Sequence, residues 1–337
     1  MENKNILFSA PKQAVIADRP IPEPGPGMVL VKTVVSSISS GTERANLVGE
    51  LNVSIYEEFT EAIFPRQGGY SSSGIVEKVG ESVTGLVSGD RVAMSWSVHA
   101  QYNCLPHQQV YKIHNDAISF SEAALWHIAT FPLGAIRKCR LELGESAIVM
   151  GLGVLGLIAV QELRLAGAAP IIAVDPVASK RKKALQIGAD FALDPFTPDF
   201  AAQVKEITNG GVQVAIEVTG NGKALDSLLD CMAPLGRVAL LGCTRHSDFT
   251  IDYYHKVHGP GISLIGAPTN ARPASESAPG LWSTRDDANA LQKLVSLGRL
   301  NLANMVDEIH CVEEAPQVYA RLASEPAFPL VQFDWRK

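Results

Sequence analysis

The sequence predicts an α/β protein in which a β-rich first part is followed by a doubly wound parallel sheet. Two observations lead to this fold class. Up to about residue 115, short runs rich in β-branched residues are bounded by glycine and proline, as in strands joined by turns. From about residue 120, apolar strands alternate with helices, which is typical of a parallel sheet with helices on both faces.

The first part contains three predicted strands. The run at residues 29–35 is rich in valine and follows a stretch of prolines and glycines at residues 20–27, which no helix could occupy. Glycines bound a second strand at residues 74–80, and residues 89–94 form a turn followed by a third strand. We therefore assign residues 1–120 to a first domain.

Alternating strands and helices organise a second domain, assigned to residues 121–266. Ser119 can cap a helix that runs towards Arg140. The strands that follow are predicted at residues 146–150, 171–174, 212–218, 237–241 and 262–265, and the helices at residues 154–166, 179–187 and 224–232. The last segment, residues 267–337, has predicted helices at 286–297 and 313–323 and a closing strand at 329–335. We expect this segment to return to the first domain, because a lone strand needs a sheet to join.

Composition excludes several classes of function. The 337 residues are 46% hydrophobic and 19% charged, with a net charge of −6, which fits a globular protein and argues against nucleic acid or an acidic membrane as partner. The most apolar stretch, residues 147–160, is shorter than a membrane span. No basic segment with a long apolar core opens the chain, so we expect a cytoplasmic protein.

A glycine fingerprint predicts a dinucleotide site. Gly151, Gly153 and Gly156 lie between a predicted strand and a predicted helix, with Val154 and Leu155 at the helix start. The first glycine permits a tight turn, the second lets the backbone approach a pyrophosphate, and the third lets helix and strand pack closely. Free N–H groups at the helix start favour the phosphate charge.

Asp175 indicates which dinucleotide is bound. It ends the next strand, about 20 residues after the fingerprint, where a carboxylate accepts hydrogen bonds from the ribose of NAD and repels the 2′-phosphate of NADP. Arg181, in a basic run at residues 180–183, could instead meet that phosphate, although such runs are commonly solvated helix faces. Thr219, directly after the strand at 212–218, is a further predicted cofactor contact. We expect NAD, with NADP as the alternative.

The chain resembles the medium-chain dehydrogenase/reductase superfamily over nearly its whole length. Its nucleotide fingerprint matches that family, and so do several motifs of the first part: Phe64-Pro65-x-x-x-Gly69, Gly74-x-Val76, Val79-Gly80 and Gly89-Asp90-Arg91-Val92. The resemblance implies a GroES-like β-barrel catalytic domain followed by a Rossmann nucleotide domain. It also implies a homodimer or homotetramer, in which the last strand of the nucleotide domain pairs across a two-fold axis.

The zinc motifs of that superfamily are altered in this chain. Ser40 stands where zinc-bearing members have a cysteine ligand, and Tyr70 and Ser71 replace the histidine and glutamate of their Gly-His-Glu segment. Hydroxyl groups do not hold zinc as thiolate, imidazole or carboxylate do. Of the four cysteines of the structural zinc lobe, only Cys104 lies in the corresponding region. We therefore expect no zinc at either site.

One local segment resembles a zinc-free branch of the superfamily. Residues 39–44 are similar to the matching segment of that branch, which includes hydroxyethyl-bacteriochlorophyllide dehydrogenase. The branch also holds many dehydrogenases of unknown substrate. The similarity is too local to carry a substrate over to this chain.

Without zinc, side chains must orient the substrate oxygen and move its proton. Thr42 aligns with the hydroxyl that begins the proton relay of the family, or it caps a helix. Tyr70 can donate a hydrogen bond to a carbonyl or oxyanion, or it merely fills the pocket. His127 lies close to the place of a third zinc ligand, and imidazole changes protonation near neutral pH. We expect His127 to be the general acid/base, with a buried helix histidine as the alternative.

The remaining candidates make a polar cleft. Ser40, Glu43, Arg44, Ser71 and His99 are predicted to bind substrate, although Glu43 and Arg44 could pair with each other instead. Surface positions are commoner than cleft positions for histidines such as His255 and His258. A polar cleft favours a sugar, cyclitol or polyol, so we expect interconversion of a secondary alcohol and a ketone. The alternatives are an NADPH-dependent quinone or enoyl reductase and a non-catalytic dinucleotide-binding protein.

Overall fold

The computed structural model describes residues 2–54, 57, 59–247 and 249–337. The chain divides into two compact units. Unit 1 comprises Met1–Ile128 and Ala288–Lys337, and unit 2 comprises Ala129–Asp287. The two ends of the chain therefore share a unit, and the divisions fall later than the limits at residues 120 and 266 that the sequence suggests.

Sixteen strands and nine α-helices are present in the described residues. The strands are β1 (Glu2–Ala10), β2 (Gln13–Pro20), β3 (Met28–Ser37), β4 (Arg66–Gln67), β5 (Ser71–Val79), β6 (Arg91–Ser95), β7 (Tyr102–Pro106), β8 (Val110–Lys112), β9 (Ala147–Met150), β10 (Ile171–Val174), β11 (Phe191–Leu193), β12 (Val212–Glu217), β13 (Met232–Leu240), β14 (Ser263–Gly266), β15 (Glu308–Cys311) and β16 (Val331–Asp334). The helices are α1 (Ser40–Val48), α2 (Phe120–Ala123), α3 (Trp126–Lys138), α4 (Val154–Ala166), α5 (Ala178–Gln186), α6 (Phe200–Thr208), α7 (Gly222–Leu229), α8 (Thr284–Ser296) and α9 (Ala315–Ser324).

Unit 1 is built around β3. This strand belongs to a seven-stranded sheet of order β15-β16-β3-β5-β6-β8, in which β7 also pairs with β3, and a separate three-stranded sheet has the order β2-β1-β4. Nearly every residue of β3 is buried, as its run of valines predicts. The closing strand expected near the C-terminus is β16, which pairs antiparallel with β3 through Gln332 and Ser37. The polar end of β3 leads directly into α1.

Unit 2 contains the predicted doubly wound parallel sheet, which is confirmed. Its six strands are all parallel and have the order β11-β10-β9-β12-β13-β14. Apolar residues of the central strands, such as Ile148, Val174 and Val238, pack with Val204 of α6 and Leu228 of α7 in one core. The sequence analysis missed β11 and α6. It also began β13 at residue 237, because residues 234–236 read Pro-Leu-Gly and hide the earlier pairing.

The helix predicted from Ser119 to Arg140 is wrong in one respect. Ser119 does cap a helix, and it forms a reciprocal capping box with Glu122. The helix stops after Ala123, however, and α3 begins afresh at Trp126. The carbonyl of Ala124, at this break, accepts a hydrogen bond from the Ser71 hydroxyl at 2.7 Å. A carbonyl at the end of a helix is thus paired with a side chain outside the helix. In the described ranges, no helix is long and apolar enough to cross a bilayer.

Candidate functional site

The glycine fingerprint of unit 2 forms an open turn between β9 and α4. Gly151 has a φ of +99°, in the left-handed region that favours glycine. A Cβ on Gly153 would have no heavy atom within 4 Å, whereas a Cβ on Gly156 would lie 1.9 Å from the Gly151 carbonyl oxygen. The second glycine thus leaves space above the turn, and the third allows α4 to pack against it. Helix α4 begins without a side-chain cap, so its first N–H groups point to that space without a capping oxygen.

Asp175 orders the two loops that border this space. Its carboxylate accepts hydrogen bonds from the Leu152 and Val177 amides, each at 2.9 Å, and the Lys180 ammonium lies 4.0 Å away. The Nη1 group of Arg181 donates to the Asp175 carbonyl at 2.6 Å and to the Asp194 carboxylate at 3.0 Å. The guanidinium that could have met a 2′-phosphate is therefore held by acceptors of the protein.

Thr219 borders the same turn from β12. A Cβ on Gly151 would lie 2.8 Å from the Thr219 methyl group, so the threonine packs directly on the first glycine. The Thr219 hydroxyl donates to the buried Glu217 carboxylate. Burial raises the pKa of Glu217, and the hydrogen bonds from Thr219 and Gly220 oppose that rise.

The residues of this turn fit a dinucleotide. The open face of Gly153, the uncapped start of α4 and the half-buried Val154 and Leu155 provide a backbone cradle for a pyrophosphate. Asp175 stands directly after β10, and its buried carboxylate accepts the Leu152 and Val177 amides beside this cradle. The predicted cofactor residues therefore lie in or around the turn between β9 and α4, and Arg181 is bonded to the Asp175 carbonyl beside it.

In unit 1, three rings form an aromatic cluster of Tyr70, Trp96 and His127. The His127 ring centroid lies 4.8 Å from that of Trp96 and 5.8 Å from that of Tyr70, both edge to face. Tyr70 and Trp96 are 6.0 Å apart, and the Tyr70 hydroxyl donates to the Ser39 hydroxyl. The structure thus brings Tyr70 and His127 together, as the sequence predicts, but His127 is only 2% exposed.

Ser40 and Thr42 lie in the first turn of α1, next to Ser39. Both are half-buried, and Ser39 rather than Thr42 occupies the N-cap position. The suggestion that Thr42 caps the helix is therefore wrong. The bond between Ser39 and Tyr70 links the start of α1 to the aromatic cluster.

Four predicted substrate-binding residues are directed into the protein instead, which corrects the sequence analysis. Glu43 and His99 are 1% and 0% exposed and bond to each other at 3.0 Å. Ser71 is buried and donates to the Ala124 carbonyl. Arg44 donates to backbone carbonyls of α9 and the residue after it, so it does not pair with Glu43. Glu43, His99 and Ser71 are buried and Arg44 is half-buried, and all four bond to groups of the protein rather than facing a cleft.

The donor set of unit 1 does not fit zinc. At or close to the positions that the family resemblance aligns with zinc ligands stand the Ser40 hydroxyl, the Tyr70 phenol, which is bonded to Ser39, and the His127 imidazole, which packs edge to face against two rings. Hydroxyl and phenol groups are poor zinc ligands beside thiolate, imidazole and carboxylate. Throughout the part of the chain that the structure describes, no three His, Cys, Asp or Glu side chains come together as a metal site.

Trp96 is a site residue that the sequence analysis missed. It is 43% exposed, and its backbone has a φ of +57°, which is rare for a bulky residue. A tryptophan that directly follows the strand begun by Gly89-Asp90-Arg91-Val92 was the available signal, but a positive φ has no signature in a single sequence. The histidines of the Tyr254–His258 turn lie on the surface of unit 2, where His255 pairs with Asp252 at 2.7 Å.

Comparisons with known proteins agree with this geometry. Residues 25–140 match the family model of the alcohol dehydrogenase GroES-like domain, and residues 154–280 match that of the zinc-binding dehydrogenases. L-threonine 3-dehydrogenase of Pyrococcus furiosus is 30% identical over 320 residues, covering 86% of each chain. D-guloside 3-dehydrogenase of Escherichia coli is 27% identical over 210 residues, covering 61% of this chain and 59% of that protein.

A solved structure extends the similarity to the whole fold. Benzyl alcohol dehydrogenase of Acinetobacter calcoaceticus superposes with a TM-score of 0.84 over 99% of both chains, at 20% identity. The two family models fall on the β-rich part and on the parallel sheet, in the order that the superfamily requires. The chain belongs to the medium-chain dehydrogenase/reductase superfamily of oxidoreductases.

Proposed function

We propose that the chain is a zinc-independent, NAD-dependent dehydrogenase that interconverts a secondary alcohol of a sugar, cyclitol or polyol with the corresponding ketone. The observation that carries this proposal is that Tyr70 and His127, which the family resemblance places at or close to zinc-ligand positions, lie together with Trp96 beside the start of α1. It supplies a hydrogen-bond donor and an acid/base where a metal would otherwise act.

The residues of unit 1 have separate tasks in this proposal. When bound to unit 2, the nicotinamide supplies the acceptor or donor of a hydride. Tyr70 and Thr42 orient the substrate oxygen by hydrogen bonding, and His127 takes or returns its proton. Because the His127 ring is 2% exposed, groups packed on it must move before a substrate can reach it. That burial is also the observation that favours the second candidate, a non-catalytic dinucleotide-binding protein.

The substrate class follows from the groups that remain exposed and from the relatives. Ser40, Thr42 and Tyr70 are half-buried hydroxyl groups, which can pair with the hydroxyls of a polyol. The names of the two relatives place the oxidised group at carbon 3 of L-threonine and of D-guloside, and in threonine that group is a secondary alcohol. An apolar quinone or enoyl substrate would offer no hydrogen-bond partner to the Ser40 and Thr42 hydroxyls, whereas Tyr70 is bonded to Ser39 in either case.

A substrate panel tests the proposed function. The purified chain is incubated with sugars, cyclitols, polyols and β-hydroxy acids plus NAD, and NADH formation is followed by absorbance. We expect turnover on at least one secondary alcohol. Reduction of quinones or enoyl compounds by NADPH, with no alcohol oxidised, would support the reductase alternative. Tight NAD binding without turnover on any compound would support the non-catalytic alternative.

Cofactor choice is predicted to favour NAD over NADP. Asp175 repels a 2′-phosphate, and Arg181 is engaged with Asp194. Asp175→Asn keeps an acceptor for one loop amide but removes the negative charge. The difference between the NAD and NADP affinities, measured by calorimetry, should therefore become smaller. Asp190→Asn, which removes a carboxylate paired with Arg164 elsewhere in unit 2, is the matched control and should leave the preference unchanged. Tighter binding of NADP to the unmodified protein would contradict the assignment.

Turnover is predicted to depend on His127 and Tyr70. Loss of a positioned acid/base typically lowers a rate by about a hundredfold to ten-thousandfold. His127→Ala should therefore lower kcat strongly, and Tyr70→Phe should lower it while keeping the ring. Both variants should bind NAD as the unmodified protein does, because the cradle lies in unit 2. Near-normal kcat in His127→Ala would remove His127 from the mechanism.

We also propose that the chain forms at least a homodimer through β14. This strand is the last of its sheet and pairs only with β13 in the described chain, and an open edge invites pairing with another copy. Ile265→Lys should shift the molar mass from light scattering towards the monomer. Leu185→Lys, on an exposed position of α5, is the control and should not. A monomeric unmodified protein at micromolar concentration would count against this proposal.

A further inference from the structure

Unit 1 holds a buried carboxylate with three donors. Glu43 is 1% exposed, and one of its oxygens accepts the Ser39 amide at 2.8 Å. The other accepts the His99 imidazole at 3.0 Å and the Tyr319 hydroxyl of α9. Burial, and then the neighbouring Glu43 carboxylate, raises the pKa of Tyr319, so this phenol stays a donor. We call Glu43, His99, Tyr319, Ser39 and Ser36 the carboxylate network.

Both ring nitrogens of His99 are bonded within the network, and its partners determine which nitrogen carries the hydrogen. Because the carboxylate only accepts, the Nε2 atom of His99 must carry a hydrogen towards Glu43. Its Nδ1 atom lies 2.8 Å from the Ser36 hydroxyl, which also accepts the indole N–H of Trp335 at 2.9 Å. The imidazole is thus held at both nitrogens, at 0% exposure. His99 therefore has neither an exposed surface nor an unbonded ring nitrogen to offer a substrate.

Glu43 and His99 of the carboxylate network pack against Gly68 and Gly69, the two residues that precede Tyr70. A Cβ on Gly69 would lie 2.8 Å from the His99 ring, and a Cβ on Gly68 would lie 3.3 Å from a Glu43 oxygen. The His99 amide donates to the Gly68 carbonyl at 3.0 Å. Gly69 also has a φ of +89°, so the turn before Tyr70 takes its shape from glycines that lie against this pair.

The same network holds the residue that accepts the Tyr70 phenol. The Ser39 amide donates to Glu43 while the Ser39 hydroxyl accepts from Tyr70. The Tyr70 carbonyl accepts the Trp96 amide at 2.8 Å, which ties the aromatic cluster to the same backbone. Tyr70 is therefore linked to the Glu43–His99 pair twice: its backbone through Gly69 and its hydroxyl through Ser39.

We propose that the buried Glu43–His99 pair is a positioning device that sets the location of the Tyr70 phenol. This rests on the proposed function, in which Tyr70 orients the substrate oxygen. Glu43 and His99 touch no substrate and act only through the Gly68-Gly69 turn and Ser39. In Glu43→Gln, an amide NH₂ group replaces one carboxylate oxygen, so either the Ser39 amide loses its acceptor or the Tyr319 phenol and the His99 imidazole must become acceptors. Either change rearranges the network, and Tyr70 shifts with it.

A double-mutant cycle separates positioning from general stability. Glu43→Gln should lower kcat on the substrate found in the panel by up to about a hundredfold, as a misplaced group can, with NAD affinity unchanged. In a Tyr70→Phe background, the same substitution should lower kcat by less than about twofold, because effects that act through one group are not additive. Equal losses in both backgrounds would overturn the proposal. Asp334→Asn, at a buried carboxylate of unit 1 that bonds to Arg336, is the control and should keep kcat.

A second readout requires no turnover, so it still applies if the proposed function fails. The seven tyrosines are labelled as 3-fluorotyrosine, and Tyr70→Phe identifies the fluorine resonance of Tyr70. Glu43→Gln should shift or broaden that resonance, and the control Asp334→Asn should not. Tyr319→Phe is the second variant, for use if Glu43→Gln does not fold. It removes one donor of the network and keeps the ring, so it should shift the Tyr70 resonance by a smaller amount. An unchanged Tyr70 resonance in either folded variant would overturn the positioning role, whatever the activity.

Discussion

Unit 1 depends on one constraint, which is that a carboxylate buried from water must be surrounded by donors. Glu43 meets it with a backbone amide, an imidazole and a phenol that come from α1, the segment after β6, and α9. Breaking such a set leaves a buried charge without compensation, which is strongly destabilising. The need to satisfy Glu43 therefore fixes how the C-terminal helix, the Gly68-Gly69 turn and the start of α1 meet.

The two units form their candidate sites from different groups, backbone in unit 2 and side chains in unit 1. Unit 2 uses backbone: a turn of glycines and an uncapped helix start, with one carboxylate beside them, provide the place for a dinucleotide. Unit 1 uses side chains: in the proposed function, Ser40, Tyr70 and His127 act in the region where zinc-bearing relatives hold the metal. Positioning by a second layer of buried groups is what a site without a metal requires, since no ion organises its ligands.

The predictability of the chain differs between these two parts. The parallel sheet and the glycine fingerprint could be predicted because strand, turn and helix are consecutive in sequence and their chemistry is local. The burial of Glu43 and His99 could not be predicted, because these two partners are 56 positions apart in the sequence. A polar residue also looks the same in a sequence whether it faces a cleft or a core. The partner of Glu43 in α9 is 276 positions away. The left-handed backbone of Trp96 likewise arises from tertiary packing.

The central claim is that side chains, not zinc, serve the alcohol chemistry. The most direct test is to measure metal content and turnover in the same preparations, purified without chelator and then supplemented with zinc to different degrees. The account predicts far less than one equivalent of bound zinc and a kcat that does not change with zinc content. A full equivalent of tightly bound zinc, with kcat rising in proportion to it, would contradict the account.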